Sequence, residues 1–89
     1  MTASDLAFER LAASLKRAYV DHRIEQQSDG HVLLVLGDVQ RLVLQTLCGD
    51  ESLAALKSQE RGTDGTRYTL TDSEAEALAD RVDGSRRRR

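Results

Sequence analysis

Apolar residues recur at spacings of three and four in the first part of the chain: Phe8, Leu11, Ala12, Leu15, Ala18 and Tyr19. That period puts them on one face of a helix over residues 3–20, with Glu9, Arg10, Lys16 and Arg17 elsewhere on the cylinder. Thr2 or Ser4 can cap its start, and Asp5 suits the positive end of the helix dipole. The polar face is not mainly basic, so packing on a sheet is expected rather than binding at a membrane surface.

After a link at Asp21–Arg23 the pattern changes. Ile24–Ser28 is polar apart from Ile24, as suits an edge strand. Val32–Leu36 is the most apolar run in the chain and reads as a central strand. Asp29-Gly30 before it is a two-residue hairpin signal, because a type I′ turn needs positive φ at both central positions. Gly37-Asp38 after it has glycine first, as a type II′ turn prefers. A third strand over Val39–Leu47 then completes an antiparallel meander. A second parse competes: Asp38 can cap a helix carrying Val39, Leu42, Val43 and Leu47 on one face, with Gly49 ending it. The strand is preferred because Leu42-Val43-Leu44 is compact and β-friendly, and the central strand needs a second neighbour.

Asp50 can start a short helix from Glu51 to about Gln59, with Leu53 and Leu56 inward. Gly62-Thr63-Asp64-Gly65 reads as a loop. Thr66–Leu70 is a short strand with Arg67 and Thr69 on one side and Tyr68 and Leu70 on the other. Thr71-Asp72-Ser73-Glu74 is a capping box: Thr71 can satisfy the Glu74 amide, and Glu74 can reach back to the Thr71 amide. It opens a last helix to about Val82, with Ala75, Leu78, Ala79 and Val82 on one face and Gly84 as its stop. The expected fold class is α+β: N-terminal helix, three-stranded antiparallel meander, short helix, short strand, C-terminal helix. Residues 1–84 form one domain and 85–89 a disordered basic tail.

Composition narrows the function classes. With 89 residues and three aromatics, the core must be small and built mainly of Leu, Val and Ala. The net charge of −2 is unevenly placed, since Arg86, Arg87, Arg88 and Arg89 end the chain. Without them nine basic residues face 15 acidic ones, a net −6. An acidic body is a poor phosphate-binding surface, so nucleic acid is expected to be reached only through the tail, which could equally contact an acidic partner. One cysteine, no signal-like N-terminus and no long apolar run point to the cytoplasm, with no membrane contact.

Candidate chemistry is sparse. His22 and His31 fall at opposite ends of the first hairpin and cannot share a metal ion. Cys48 has Asp50 and Glu51 for neighbours, which would raise its thiol pKa and blunt it as a nucleophile. The carboxylates at Asp50-Glu51 and at Asp72 and Glu74 are explained by predicted helix starts. No phosphate-cradling glycine loop, metal-ligand spacing or nucleophile motif occurs. No enzyme, cofactor or metal is expected.

Arg67-Tyr68-Thr69-Leu70-Thr71-Asp72-Ser73-Glu74 resembles the wing-to-helix passage of bacterial winged-helix regulators, over under a tenth of the chain. The helix-turn-helix parse of residues 39–58 and the arginine tail support an alternative, a winged-helix-like nucleic-acid-binding regulator. The leading expectation is a non-enzymatic protein-interaction module, a homodimer or an adaptor or regulator of another protein. Two-residue turns would send Leu33 and Val35 toward the helices. They would leave Val32, Leu34 and Leu36 outward, bordered by Glu25, Val39, Arg41 and Val43, as an apolar interface stripe with a polar rim.

Overall fold

The structure, a computed structural model, describes residues 3–49, 53–54, 56 and 58–87. Among these, three longer helices and four strands alternate as α1 (Ala3–Arg17), β1 (Arg23–Gln26), β2 (Val32–Leu36), α2 (Asp38–Cys48), β3 (Gln59–Gly62), β4 (Gly65–Leu70) and α3 (Asp72–Arg87). The strands form one antiparallel sheet in the order β1-β2-β4-β3. The fold class is α+β, as the sequence indicates.

The helix α1 stops in a Schellman motif. Val20 N–H donates to the Leu15 carbonyl at 3.0 Å and Tyr19 N–H to the Lys16 carbonyl at 3.1 Å. Buried Val20 and Leu15 supply the apolar contact that accompanies such an ending. Tyr19 sits at the left-handed position with φ 59°, where glycine is usual, and its side chain is 91% exposed. The expected cap Thr2 lies outside the described residues.

The first hairpin forms where expected, with a different loop. Gln27 N–H donates to the His31 carbonyl at 2.9 Å and Gly30 N–H to the Gln27 carbonyl at 3.1 Å, so three residues, Ser28 to Gly30, make the turn. Gly30 supplies the positive φ, 92°. The extra loop residue shifts the register by one: Ile24 stands opposite Leu34, and Glu25 opposite Leu33. A one-residue shift exchanges the faces. Val32, Leu34 and Leu36 therefore lie with Ile24 on the helix-covered side, fully buried, together with Tyr68 and Leu70 of β4. Leu33 and Val35 face the other way, among Arg23, Glu25, Arg67 and Thr69. Val35 is nevertheless buried, and its cross-strand neighbours Arg23 and Arg67 have the aliphatic stems to cover it.

The third meander strand does not form. Residues 38–48 are the helix α2, and the second neighbour of β2 is β4. Three local features favour the helix. Gly37 is extended at the N-cap and accepts the first helical bond from Arg41 N–H at 2.8 Å. Asp38 places a negative charge in the first turn. Gly49 closes the C-terminus with φ 91°, its N–H donating to the Gln45 carbonyl at 2.8 Å.

The segment expected as a short helix is helical at Leu53 and Ala54, with Leu53 and Leu56 buried, but Gln59 belongs to β3. Asp50 and Glu51 lie outside the described residues. Gly62 pairs with Gly65, so Thr63-Asp64 is the loop of a second hairpin. Gly65 has φ 123°, and a β-carbon there would come within 2.2 Å of the Leu36 carbonyl oxygen. Only glycine lets β4 pass the end of β2 at that distance.

The capping box forms as written: Glu74 N–H donates to Thr71 Oγ1 at 3.2 Å and Thr71 N–H to Glu74 Oε1 at 3.1 Å. Ala75, Leu78, Ala79 and Val82 are all buried. The helix does not stop at Gly84: Ser85–Arg87 continue it, while Arg88 and Arg89 lie outside the described residues.

The helix α3 packs against both α1 and α2. Arg10 bonds Asp80, and Arg17 Nη2 donates to Asp83 Oδ1 at 3.0 Å. Ser14, fully buried, donates to Asp83 Oδ2 at 3.1 Å. Arg10 with Asp80, then Arg17 with Asp83, fixes α1 and α3 as parallel neighbours.

Candidate functional site

The residues expected at one interface separate in the structure. Val32, Leu34 and Leu36 are core and cannot contact a partner. Glu25 is exposed on the outer sheet face, 3.2 Å from Arg23 Nη2. Val39 and Val43 share the solvent face of α2, whereas Arg41 lies on its flank toward β4.

The orientation of α2 is the unusual feature. Leu44 is its one buried residue, with Leu47 and Cys48 packed at the margin of the core. Val39 is 69% exposed, Leu42 56% and Val43 38%. These three occur at i, i+3 and i+4, and Thr46 at i+7 is also exposed, so the solvent side of α2 carries a continuous apolar stripe. The helix thus buries one apolar edge and shows another. Leu42 stands at the centre of the stripe.

The flanks of α2 are polar and anchored. On one side Gln40 Oε1 accepts the Asp21 N–H at 3.1 Å. On the other, Arg41 leans toward β4 and Asp38 lies 3.8 Å from Arg61 on β3. Burial pushes the Tyr68 phenol above its ordinary pKa, against the opposing pull of the Arg41 charge and a hydrogen bond with Thr66. Arg61, Thr66 and Tyr68 escape sequence reasoning because their convergence depends on the β3–β4 register. The visible signal is the pair Gly62 and Gly65, spaced for a two-residue turn.

The remaining candidates stay apart. His22 Nδ1 lies 2.8 Å from the Val20 carbonyl. His31 sits at the other end of the hairpin, where its backbone N–H donates to Asp29 Oδ1 at 3.0 Å and holds that carboxyl below its usual range. Cys48 is half-buried, and burial raises its thiol pKa against the opposing charge of Arg81. The direction matches the sequence expectation, but desolvation is the cause. Among the described residues no group of three or more His, Cys, Asp or Glu side chains could hold a metal ion, and no helix is long and apolar enough to cross a membrane. Compared with models of known families, curated proteins and solved structures, the chain matches none.

Proposed function

We propose that this chain is a non-enzymatic protein-interaction module that associates through the outer face of α2, with a second copy of itself as the partner. The observation that carries the reading is the exposure of Val39, Leu42 and Val43 in one stripe on a helix whose other edge is already packed. A monomer gains nothing by showing that stripe to water, and burying it against a partner returns about 25 cal/mol per Å² of apolar surface. The stripe holds no charge, so two copies can meet face to face across a two-fold axis without like-charge contact. A domain with so small a core gains proportionately from the added burial.

The nucleic-acid alternative also places a helix before a hairpin, as α2 and β3–β4 are ordered here. Reading DNA through α2 would need Lys or Arg on its solvent face, where Val39, Leu42, Val43 and Thr46 stand instead.

Replacing Leu42 with Glu tests the reading. Because the side chain already faces water, the variant should fold with an unchanged circular dichroism spectrum. Sedimentation velocity should then give a dimer for the wild type and a monomer for Leu42→Glu. A wild type that remains monomeric at millimolar concentration removes the second copy as partner.

A further inference from the structure

Between the flank of α2 and the β3–β4 edge of the sheet lies a cleft of about 270 Å³, lined by Arg41, Gln59, Arg61, Thr66 and Tyr68. The register explains the convergence. Gln59 pairs with Tyr68 and Arg61 with Thr66, so these four alternate onto the same side of the sheet, the side α2 stands over. Gln59 is already committed: its Nε2 donates to the Leu53 and Leu56 carbonyls at 2.9 and 2.7 Å, tying that segment to β3.

The two arginines are different. Arg41 Nε is buried and has no hydrogen-bond acceptor among the described residues. No carboxylate among the described residues forms an ion pair with Arg41. Arg61 has a loose, exposed contact with Asp38 at 3.8 Å. A guanidinium cannot shed its charge by losing a proton, so a buried N–H without a protein acceptor favours an incoming oxygen. Two guanidiniums on one cleft match a group with at least two anionic oxygens, because each planar fork can donate two parallel bonds.

We infer that this cleft is an oxyanion site, taking a carboxylate or a phosphate, with Arg41 as its principal donor and Arg61 as the second. The Thr66 and Tyr68 side chains, which hydrogen-bond to each other, line the same cleft. Asp38 competes with the ligand for Arg61, so it is a restraint on affinity. The inference does not depend on self-association through α2: Arg41 lies on its flank and Arg61 on β3, and the stripe on the solvent face of α2.

The test uses the full chain, ¹⁵N-labelled, with the arginine Nε–Hε signals followed by NMR at matched ionic strength. Inorganic phosphate is titrated in one arm, acetate in a second and sodium chloride in a third. The Arg41 signal should shift saturably with phosphate, acetate or both, and not with chloride; the arm that saturates at lower concentration identifies the ligand chemistry. Arg41→Gln should weaken binding about tenfold or more, the scale of one charged bidentate contact. Asp38→Asn should tighten it. Arg61→Gln, a change on an exposed edge strand, is the second loss variant should Arg41→Gln fold poorly. An Arg41 signal that moves without saturation and equally with all three salts would reflect screening and overturn the inference. So would unchanged affinity in folded Arg41→Gln or Arg61→Gln.

Discussion

Ile24 and Leu34 stand directly opposite one another across β1 and β2, and Leu34 is completely buried beneath the helices. Its neighbour on the other flank is Tyr68, also buried. Truncating Leu34 therefore opens a cavity at the centre of the core. Leu34→Ala should lower unfolding stability by about 2–5 kcal/mol, whereas Leu33→Ala, on the outer face, should cost less than about 1.5 kcal/mol. Urea denaturation of the pair measures the difference, and equal losses would contradict the assigned faces.

Gly65 passes the Leu36 carbonyl at a distance no β-carbon tolerates. Its φ of 123° also lies outside the range other residues adopt readily. Gly65→Ala should destabilise the fold by on the order of 3 kcal/mol through strain and forced backbone movement. Gly84→Ala is the control, since a β-carbon there meets nothing within 4 Å inside a helix. It should leave stability unchanged or raised by up to about 1 kcal/mol, read as a thermal midpoint.

Tyr19 ends α1 in the left-handed conformation while its ring packs on little. Relieving that conformation should outweigh the loss of the side chain. Tyr19→Gly is expected to stabilise the chain by about 1 kcal/mol. A lower thermal midpoint would mean that the exposed ring makes a stabilising contact.

Tyr68 gives the fold an alkaline limit. Burial holds its phenol proton more tightly in the folded chain than in the unfolded one, so its pKa is raised on folding. Stability from this group is complete below the ordinary phenol range, about pH 10, and is lost as pH rises through and above it. Urea midpoints between about pH 9 and pH 11 should fall for the wild type and less steeply for Tyr68→Phe.

The parts of the fold legible from the sequence are those with one period or one local bond pattern. The apolar spacing from Phe8 to Leu15, the Tyr68/Leu70 alternation and the Thr71–Glu74 box each specify their element without help from the rest of the chain. Residues 39–47 do not. Val39, Leu42, Val43 and Leu47 suit a helix and Leu42-Val43-Leu44 a compact strand, and the choice falls to Gly37, Gly49 and the prior claim of β4 on the edge of β2. The inverted strand faces have a smaller origin. Asp29-Gly30 reads as a two-residue loop, but Ser28 joins it, and one residue exchanges the two faces of β2 relative to β1. The candidate site follows the same division. Val39, Arg41 and Val43 are visible as an apolar patch with a charged flank. Which way α2 presents them, and which β3 and β4 residues meet Arg41, depends on contacts distant in sequence.

The outer face of α2 as the association surface is tested most directly by a methyl NMR dilution series on the wild-type chain. Between micromolar and millimolar concentration, the methyl signals of Val39, Leu42 and Val43 should shift together along one binding curve, while those of Leu34 and Leu70 in the core stay fixed. Concentration-dependent shifts confined to Leu33 and Val35 on the outer sheet face, or stationary α2 methyls over the whole range, would contradict it.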